Sequence, residues 1–401
     1  MKILMINKFL YPNGGSETYV FSLGEYLKNV GHQVEFFGME HNGRIVGNSA
    51  NSYTSDMDFH GGSIISKLSY PIKTVYSLEA RKKIRAVLEN FEPEVCHINN
   101  FNFQLTPSII LEIVKWRKAS GRKCKIVYTA HDGQLVCPNH LMQNPITGER
   151  CQKCFGGYFK NCVKNKCIHS SLTKSLIGAI EGYYWNWRGV YSNIDTIIAP
   201  SRFMAECLST NPILKGKIQV INNFVKCSNE LNKETKEDFV LYCGRYSIEK
   251  GIKTLLKAID SLPNIKFVFA GDGPLKNEIN KRANAEDKGF LQYNELMELV
   301  SKARFSIMPS ECFENYPFSV IESIVNGTPV IGANIGGIPE LIDEGKTGEL
   351  FESSNAQELA DKISRLFADK ERLSKYTINC QNAPFVSIKQ YYDKLTEIYS
   401  F

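Results

Sequence analysis

Short apolar runs alternate with stretches of helical periodicity along almost the whole chain. Residues 3–6, 34–37, 95–98, 125–129 and 196–199 form such runs in the first half. Residues 239–243, 266–270, 305–308 and 329–332 repeat the rhythm in the second, stopping at Gly, Asp, Pro or Ser. Apolar runs of this length joined by amphipathic segments predict parallel sheets with crossover helices. The segment after residues 3–6 carries Val20, Leu23, Leu27 and Val30 on one helical face, which predicts the first of those helices. The doubled rhythm predicts an α/β protein of two Rossmann-like, doubly wound domains.

A chain of 401 residues exceeds what one core normally supports, in keeping with two domains. The first is placed at residues 1–200, with a cysteine-rich insert at 137–169, and the second at 201–383. A closing helix at 384–401 is expected to cross back onto the first. The polar stretch 227–238, without helical periodicity, is the other place for the boundary. In open parallel sheets ligands sit beyond the carboxyl ends of strands, so two such domains predict a cleft lined by loops of both.

Composition narrows the function. With 43% hydrophobic and 22% charged residues the chain is an ordinary globular protein, and a net charge of +6 falls short of a nucleic-acid-binding footprint. That charge suits anionic small ligands or a membrane surface. No apolar run reaches transmembrane length, and residues 1–8 read as a first strand rather than a secretion signal. A cytoplasmic setting follows, so the twelve cysteines argue against a disulfide framework and make any tight cluster of them a metal candidate.

Several loops carry chemistry. Glu314 and Glu322 lie where a loop gives way to a helix, with Pro317 suited to the first helical position and Asn326-Gly327 supplying the stop. Glu314 then precedes the helix and Glu322 sits about a turn and a half inside it, so the two address different parts of one extended ligand. Taken alone, such a pair also suits acid–base hydrolysis. Gly14 and Gly15, between a strand and a helix, let backbone N–H groups approach a phosphate, or simply make a tight turn. Arg245 and Lys250 share one loop and can clamp a diphosphate, although a solvated basic loop is the commoner fate of such pairs. His131 closes the strand at 125–129 and can bond a sugar hydroxyl or carry a proton; a lone histidine is more often a structural donor. His97 occupies a comparable strand end. Gly271 and the pair Gly336-Gly337 follow strands. Asp56-Met57-Asp58 mimics a metal-binding Asp-X-Asp, but no strand precedes it and it is assigned to solvent.

At these residues the chain resembles the retaining glycosyltransferases of family 4, enzymes of the two-Rossmann-domain GT-B architecture. The resemblance spans nearly the whole chain. It rests on Gly14-Gly15 with Glu17, His131-Asp132, Gly244-Arg245 with Lys250-Gly251, Gly271 to Pro274, Pro309-Ser310, Glu314 through Glu322, Gly327 to Val330, and Gly336-Gly337 with Pro339-Glu340. It implies transfer of a sugar from a UDP- or GDP-linked donor to a hydroxyl of a glycan or lipid-linked acceptor. It further implies that Glu314 contacts the transferred sugar, Glu322 holds the ribose hydroxyls, and Arg245 and Lys250 clamp the diphosphate. His131 matches a sugar-contacting histidine, Gly14 and Gly15 the loop nearing the phosphates, and Gly271, Asn315 and Tyr316 other donor-binding positions. Transfer would need no metal or other cofactor, and retention would come from attack on the face of departure, the leaving phosphate taking the acceptor's proton. Two departures stand out: Ser323 replaces a more usual Ala, and residues 288–293 lack a second Gly.

Directly after His131 come Cys137, Cys151, Cys154, Cys162 and Cys167. A Cys-X-X-Cys pair with a second pair nearby is what tetrahedral zinc ligation uses. Cys151, Cys154, Cys162 and Cys167 are the first-choice ligands of a structural zinc, with Cys137 or His140 as substitutes; reduced free thiols and an iron–sulfur cluster are the other readings. Aromatic and basic side chains in 174–188 and 73–85 suit an anionic membrane face, or a solvated helix with core aromatics. The function expected is therefore sugar transfer by a cytoplasmic enzyme, with the inner face of the cell membrane as a further seat, in assembly of a bacterial surface polysaccharide. A sugar-nucleotide epimerase, a phosphorylase and a zinc-bearing binding module are the rivals.

Overall fold

The apolar runs become two six-stranded, wholly parallel sheets in the computed structural model, which describes residues 1–56, 73–225 and 235–401. In the first, β1 (Lys2–Ile6), β2 (Gln33–Phe37), β3 (Val95–Ile98), β4 (Lys125–Thr129), β5 (Thr196–Ala199) and β6 (Ile218–Val220) are ordered β2-β1-β3-β4-β5-β6. In the second, β7 (Glu237–Cys243), β8 (Lys266–Ala270), β9 (Ala285–Asp287), β10 (Ala303–Met308), β11 (Val330–Ala333) and β12 (Gly348–Phe351) are ordered β12-β11-β10-β7-β8-β9. Central strands such as β3 and β10 are buried along their length. That burial is why they read as continuous apolar runs.

The chain divides into two compact units, Met1–Asn222 with Ile388–Phe401, and Asn223–Ser387. The boundary therefore falls after Asn222 and not at residue 200. The helix Arg202–Ser209 leads back to β6, which pairs with β5 at Ile197↔Ile218, so this crossover completes the first sheet. The closing helix, Ile388–Tyr399, belongs to the first unit. Most of the alternative boundary at 227–238, and Met57 and Asp58 of the Asp-X-Asp stretch, lie outside the described residues.

The helix after β1 spans Gly15–Asn29 and buries Val20, Leu23 and Leu27. Val30 stands just beyond it and is exposed, because the apolar stripe ends with the helix. Each sheet reverses its strand order once, between β1 and β3 in the first unit and between β7 and β10 in the second. At such a point the two following loops diverge to opposite faces and leave a crevice at the strands' carboxyl ends.

Candidate functional site

In the second unit the loops after β7 and β10, the two strands at the switch point, are tied together. The backbone N–H groups of Glu311 and Cys312 donate to the Glu249 carbonyl at 3.0 and 3.1 Å. Gly251, at φ +74°, lies so close to the second loop that a Cβ there would stand 1.7 Å from the Pro309 carbonyl oxygen. Only glycine fits that approach. The result sets Lys250 against Glu314, with Nζ donating to Oε1 at 2.6 Å, and the Ser310 hydroxyl donates to the same oxygen at 2.7 Å.

The turn after β11 supports this carboxylate from behind. Gly337 donates its N–H to the Glu314 carbonyl at 2.7 Å, and a Cβ on Gly336 would fall 2.4 Å from that carbonyl oxygen. Burial works to lower the Lys250 pKa, but the adjacent Glu314 carboxylate outweighs it and the ammonium is held above its ordinary value, a charge fixed across the working pH range.

The other residues for which the resemblance implies donor contacts lie in the same unit. Arg245 is exposed on the β7 loop, and its guanidinium has no ion-pair partner among the described residues. Its backbone is held by the Tyr242 hydroxyl, which donates to the Arg245 carbonyl at 2.9 Å. Gly271 at the end of β8 packs against the same loop, where a Cβ would meet the Gly244 carbonyl oxygen at 2.0 Å. Asn315 and Tyr316 follow Glu314, and Asn223 donates to the Tyr316 carbonyl at 3.0 Å. The helix then runs Phe318–Val325, with Pro317 as its extended N-cap rather than its first residue. Glu322, one turn in, is half-buried, and burial alone pushes its carboxyl up to about 7. Its side chain has no hydrogen-bond partner among the described residues.

In the first unit, Gly14 and Gly15 are exposed at the start of the helix after β1, as a phosphate approach requires. Beneath them Glu17 is buried and accepts from Asn7 Nδ2 at 2.9 Å and from the Ser16 hydroxyl at 3.0 Å. Burial raises its carboxyl above the ordinary range. His131, past β4, has Nε2 2.9 Å from Asn99 Oδ1. The Asn99 amide nitrogen faces the carbonyls of Ile6 and His97 at 3.4 Å, so its oxygen is the atom left to accept, and His131 carries its proton on Nε2. Burial lowers the His131 pKa to about 3. It is neutral, so a hydrogen-bonding role fits it better than proton carriage. His97 is a core residue, with Nδ1 2.6 Å from the Tyr399 hydroxyl and Nε2 2.7 Å from Thr129 Oγ1.

Sequence reasoning overlooked Asn99, and it named Ser310 and Ser323 without the contacts they make. Ser310 and Asn99 act by orienting Glu314 and His131, and Ser323, where Ala is more usual, bonds the Ser306 hydroxyl at 2.6 Å. For Ser310 and Asn99 the signal was position, two residues and one residue past the end of a strand run. Of the basic stretch at 73–85, Arg81 and Arg85 are committed to the buried Glu112 at 2.5 and 2.7 Å, which removes them from a membrane-facing role.

The sequence pattern of Glycosyl transferases group 1 matches residues 226–382, and that of Glycosyltransferase Family 4 matches residues 13–229. The sulfoquinovosyl transferase of Arabidopsis thaliana is 35% identical over 35% of this chain, which spans only 28% of that protein. The chain spans 64% of an uncharacterized glycosyltransferase of Methanocaldococcus jannaschii, at 29% identity over 55% of its own length. The N-acetyl-α-D-glucosaminyl L-malate synthase of Bacillus anthracis is 21% identical over 92% of this chain and 88% of its own. Among solved structures, sucrose-phosphate synthase from Thermosynechococcus elongatus superposes with a TM-score of 0.70 at 17% identity, covering 99% of this chain and 98% of that one. HepE of Anabaena, solved with UDP-glucose, gives 0.65 at 15% identity over 99% of both. With a pattern covering more than half its length, the chain belongs to Glycosyltransferase Family 4.

Proposed function

We propose that the chain is a retaining glycosyltransferase that moves a sugar from a nucleoside-diphosphate donor to a hydroxyl of a glycan or lipid-linked acceptor. The observation that carries this is the Lys250–Glu314 pair, fixed at the switch point of the second sheet by Ser310 and the Gly336-Gly337 turn. Lys250 supplies a permanent cation for charge that grows on the leaving diphosphate, and Arg245 a planar fork beside it. Those two cations do the work a divalent metal does elsewhere. Glu314 accepts from the sugar's hydroxyls, Glu322 from the ribose, and neutral His131 offers Nδ1 to a sugar hydroxyl. The acceptor oxygen bonds the anomeric carbon as the phosphate oxygen departs from the same face and takes the acceptor's proton.

UDP is the nucleotide favoured, since HepE was solved with it. A 42.6 kDa protein of the Klebsiella pneumoniae cps region, 24% identical over 85% of this chain, supports a role in surface polysaccharide assembly. No described helix is long and apolar enough to cross a membrane. The helix Leu172–Trp187 exposes Leu176, Ile180, Tyr183 and Trp187 at one-face spacing, which supports a peripheral seat at the membrane's inner face.

A thermal-shift panel of nucleotide sugars, then transfer assays with the tightest binder, tests the reading, the product's anomeric coupling reporting retention. We expect Glu314→Gln to lower kcat by about 100-fold or more while changing nucleotide Kd less than about 3-fold. Equal transfer by variant and parent removes Glu314 from the mechanism, and epimerised donor without transfer replaces the reading.

A further inference from the structure

The cysteine-rich segment after β4 folds so that the thiols of Cys137, Cys151, Cys154, Cys162 and Cys167 line a single small cavity. They come from three separate stretches of chain. Cys151 and Cys154 flank a turn whose exit is closed by the N–H groups of Gly157 and Tyr158, both donating to the Cys154 carbonyl at 3.2 and 3.1 Å. Gly156, at φ +70°, permits that reversal. Cys162 and Cys167 bracket a second turn in which Cys167 N–H donates to the Cys162 carbonyl at 3.0 Å. Chance burial of thiols in a core scatters them, whereas here five converge. All described cysteines are free thiols.

We infer that this cavity is a structural zinc site in which Cys151, Cys154, Cys162 and Cys167 are the four ligands. Zinc takes four thiolates in a tetrahedron, in paired turns of this kind. Cys137 is the fifth wheel, because its Sγ donates to Asn139 Oδ1 at 2.9 Å and so already has a partner. His140, the other substitute the sequence offered, is excluded by direction. Its ring stacks on Phe103 at 4.9 Å, bonds Asn102 and stands 3.9 Å from Asp132, away from the cavity.

Charge agrees with the assignment. Binding releases four thiol protons and leaves a zinc–tetrathiolate of charge −2. The segment 137–167 holds Arg150, Lys153, Lys160, Lys164 and Lys166 against the single acid Glu149, an excess that suits a buried dianion. Among the described residues no three Cys, His, Asp or Glu side chains already stand at ligand spacing, so the four thiols close on the ion by side-chain rotation. The small apolar cluster of Cys154, Phe159, Cys162, Cys167 and Ala179 fixes their backbones meanwhile. Because Gly133 bonds both His140 and Cys137 through its backbone, the ion would anchor the loop that carries His131.

The inference stands apart from the sugar-transfer reading, and its test uses metal content. The full chain, purified without chelator, should hold about one zinc by elemental analysis, and Co2+ added to the stripped chain should raise a thiolate-to-cobalt charge-transfer band that titrates at about one equivalent. Cys162→Ser should lower zinc content by about 10-fold, and Cys137→Ser should leave it unchanged. Should Cys162→Ser fail to fold, the cobalt titration of the parent chain still decides. Absence of both zinc and the cobalt band, intersulfur disulfides in the native mass, or zinc lost equally on Cys137→Ser would each overturn the assignment.

Discussion

Lys250 and Glu314 neutralise each other at 2.6 Å, so a bound diphosphate must compete with a carboxylate for the same ammonium. Glu322 differs: burial raises its carboxyl to about 7 and no charge offsets that. Its folded pKa lies above the unfolded one, so the fold's preference for the neutral form gives stability that is complete below the ordinary carboxyl range. It is lost as pH rises through about 7. Ribose hydroxyls donate best to the ionised form, so nucleotide affinity should strengthen across that same interval. Calorimetric titration against pH would measure it. Glu322→Gln should weaken binding by about 10-fold at high pH and flatten the pH step; a step of equal height in the variant assigns it to another group. These site residues were legible because motif strings hold them within one loop. The contacts of Ser310, Asn99 and Gly336-Gly337 were not, since what they touch is distant in sequence or, for Ser310, set by loop curvature.

Among elements, the central strands and the edge strand β2 announced themselves, and the other three edges did not. β6, β9 and β12, each at a sheet edge, read Ile-Gln-Val, Ala-Glu-Asp and Gly-Glu-Leu-Phe. Edge strands need no apolar residues on both faces, so periodicity carries little of them. The missed β6 also misplaced the domain boundary. The closing helix Ile388–Tyr399 and its return to the first unit were visible in sequence, but the side chains that attach it were not. Tyr391 meets the Tyr19 hydroxyl at 2.6 Å, and Tyr399 reaches His97 on β3 at 2.6 Å, all fully buried. Removing the Tyr399 hydroxyl takes that partner from a buried ring nitrogen. Tyr399→Phe should therefore destabilise the first unit by about 1–3 kcal/mol in urea melts, whereas Tyr392→Phe, on the helix's half-buried side, should cost less. Equal losses would make this helix a generic apolar plug.

Over the whole molecule the two units differ in what they titrate. All seven histidines and all three tryptophans fall within Met1–Asn222. Burial lowers the pKa values of His97, His131 and His140 to about 3, while the unfolded chain would bind protons near the ordinary 6.5. Depressed values contribute stability that is present above 6.5 and lost as pH falls from there towards about 3. With three such groups the first unit should weaken by up to about 4 kcal/mol per pH unit within that window. The second unit contains no histidine, and Glu322 moves its stability the opposite way. Tryptophan emission reports the first unit alone, so urea melts followed by fluorescence at stepped pH isolate it. The midpoint should drop steeply on mild acidification, and His97→Gln, which keeps hydrogen-bonding capacity without titrating, should make the drop shallower. A midpoint independent of pH would mean that these histidines are protonated in the fold, and with that the neutral, hydrogen-bonding role assigned to His131 would go.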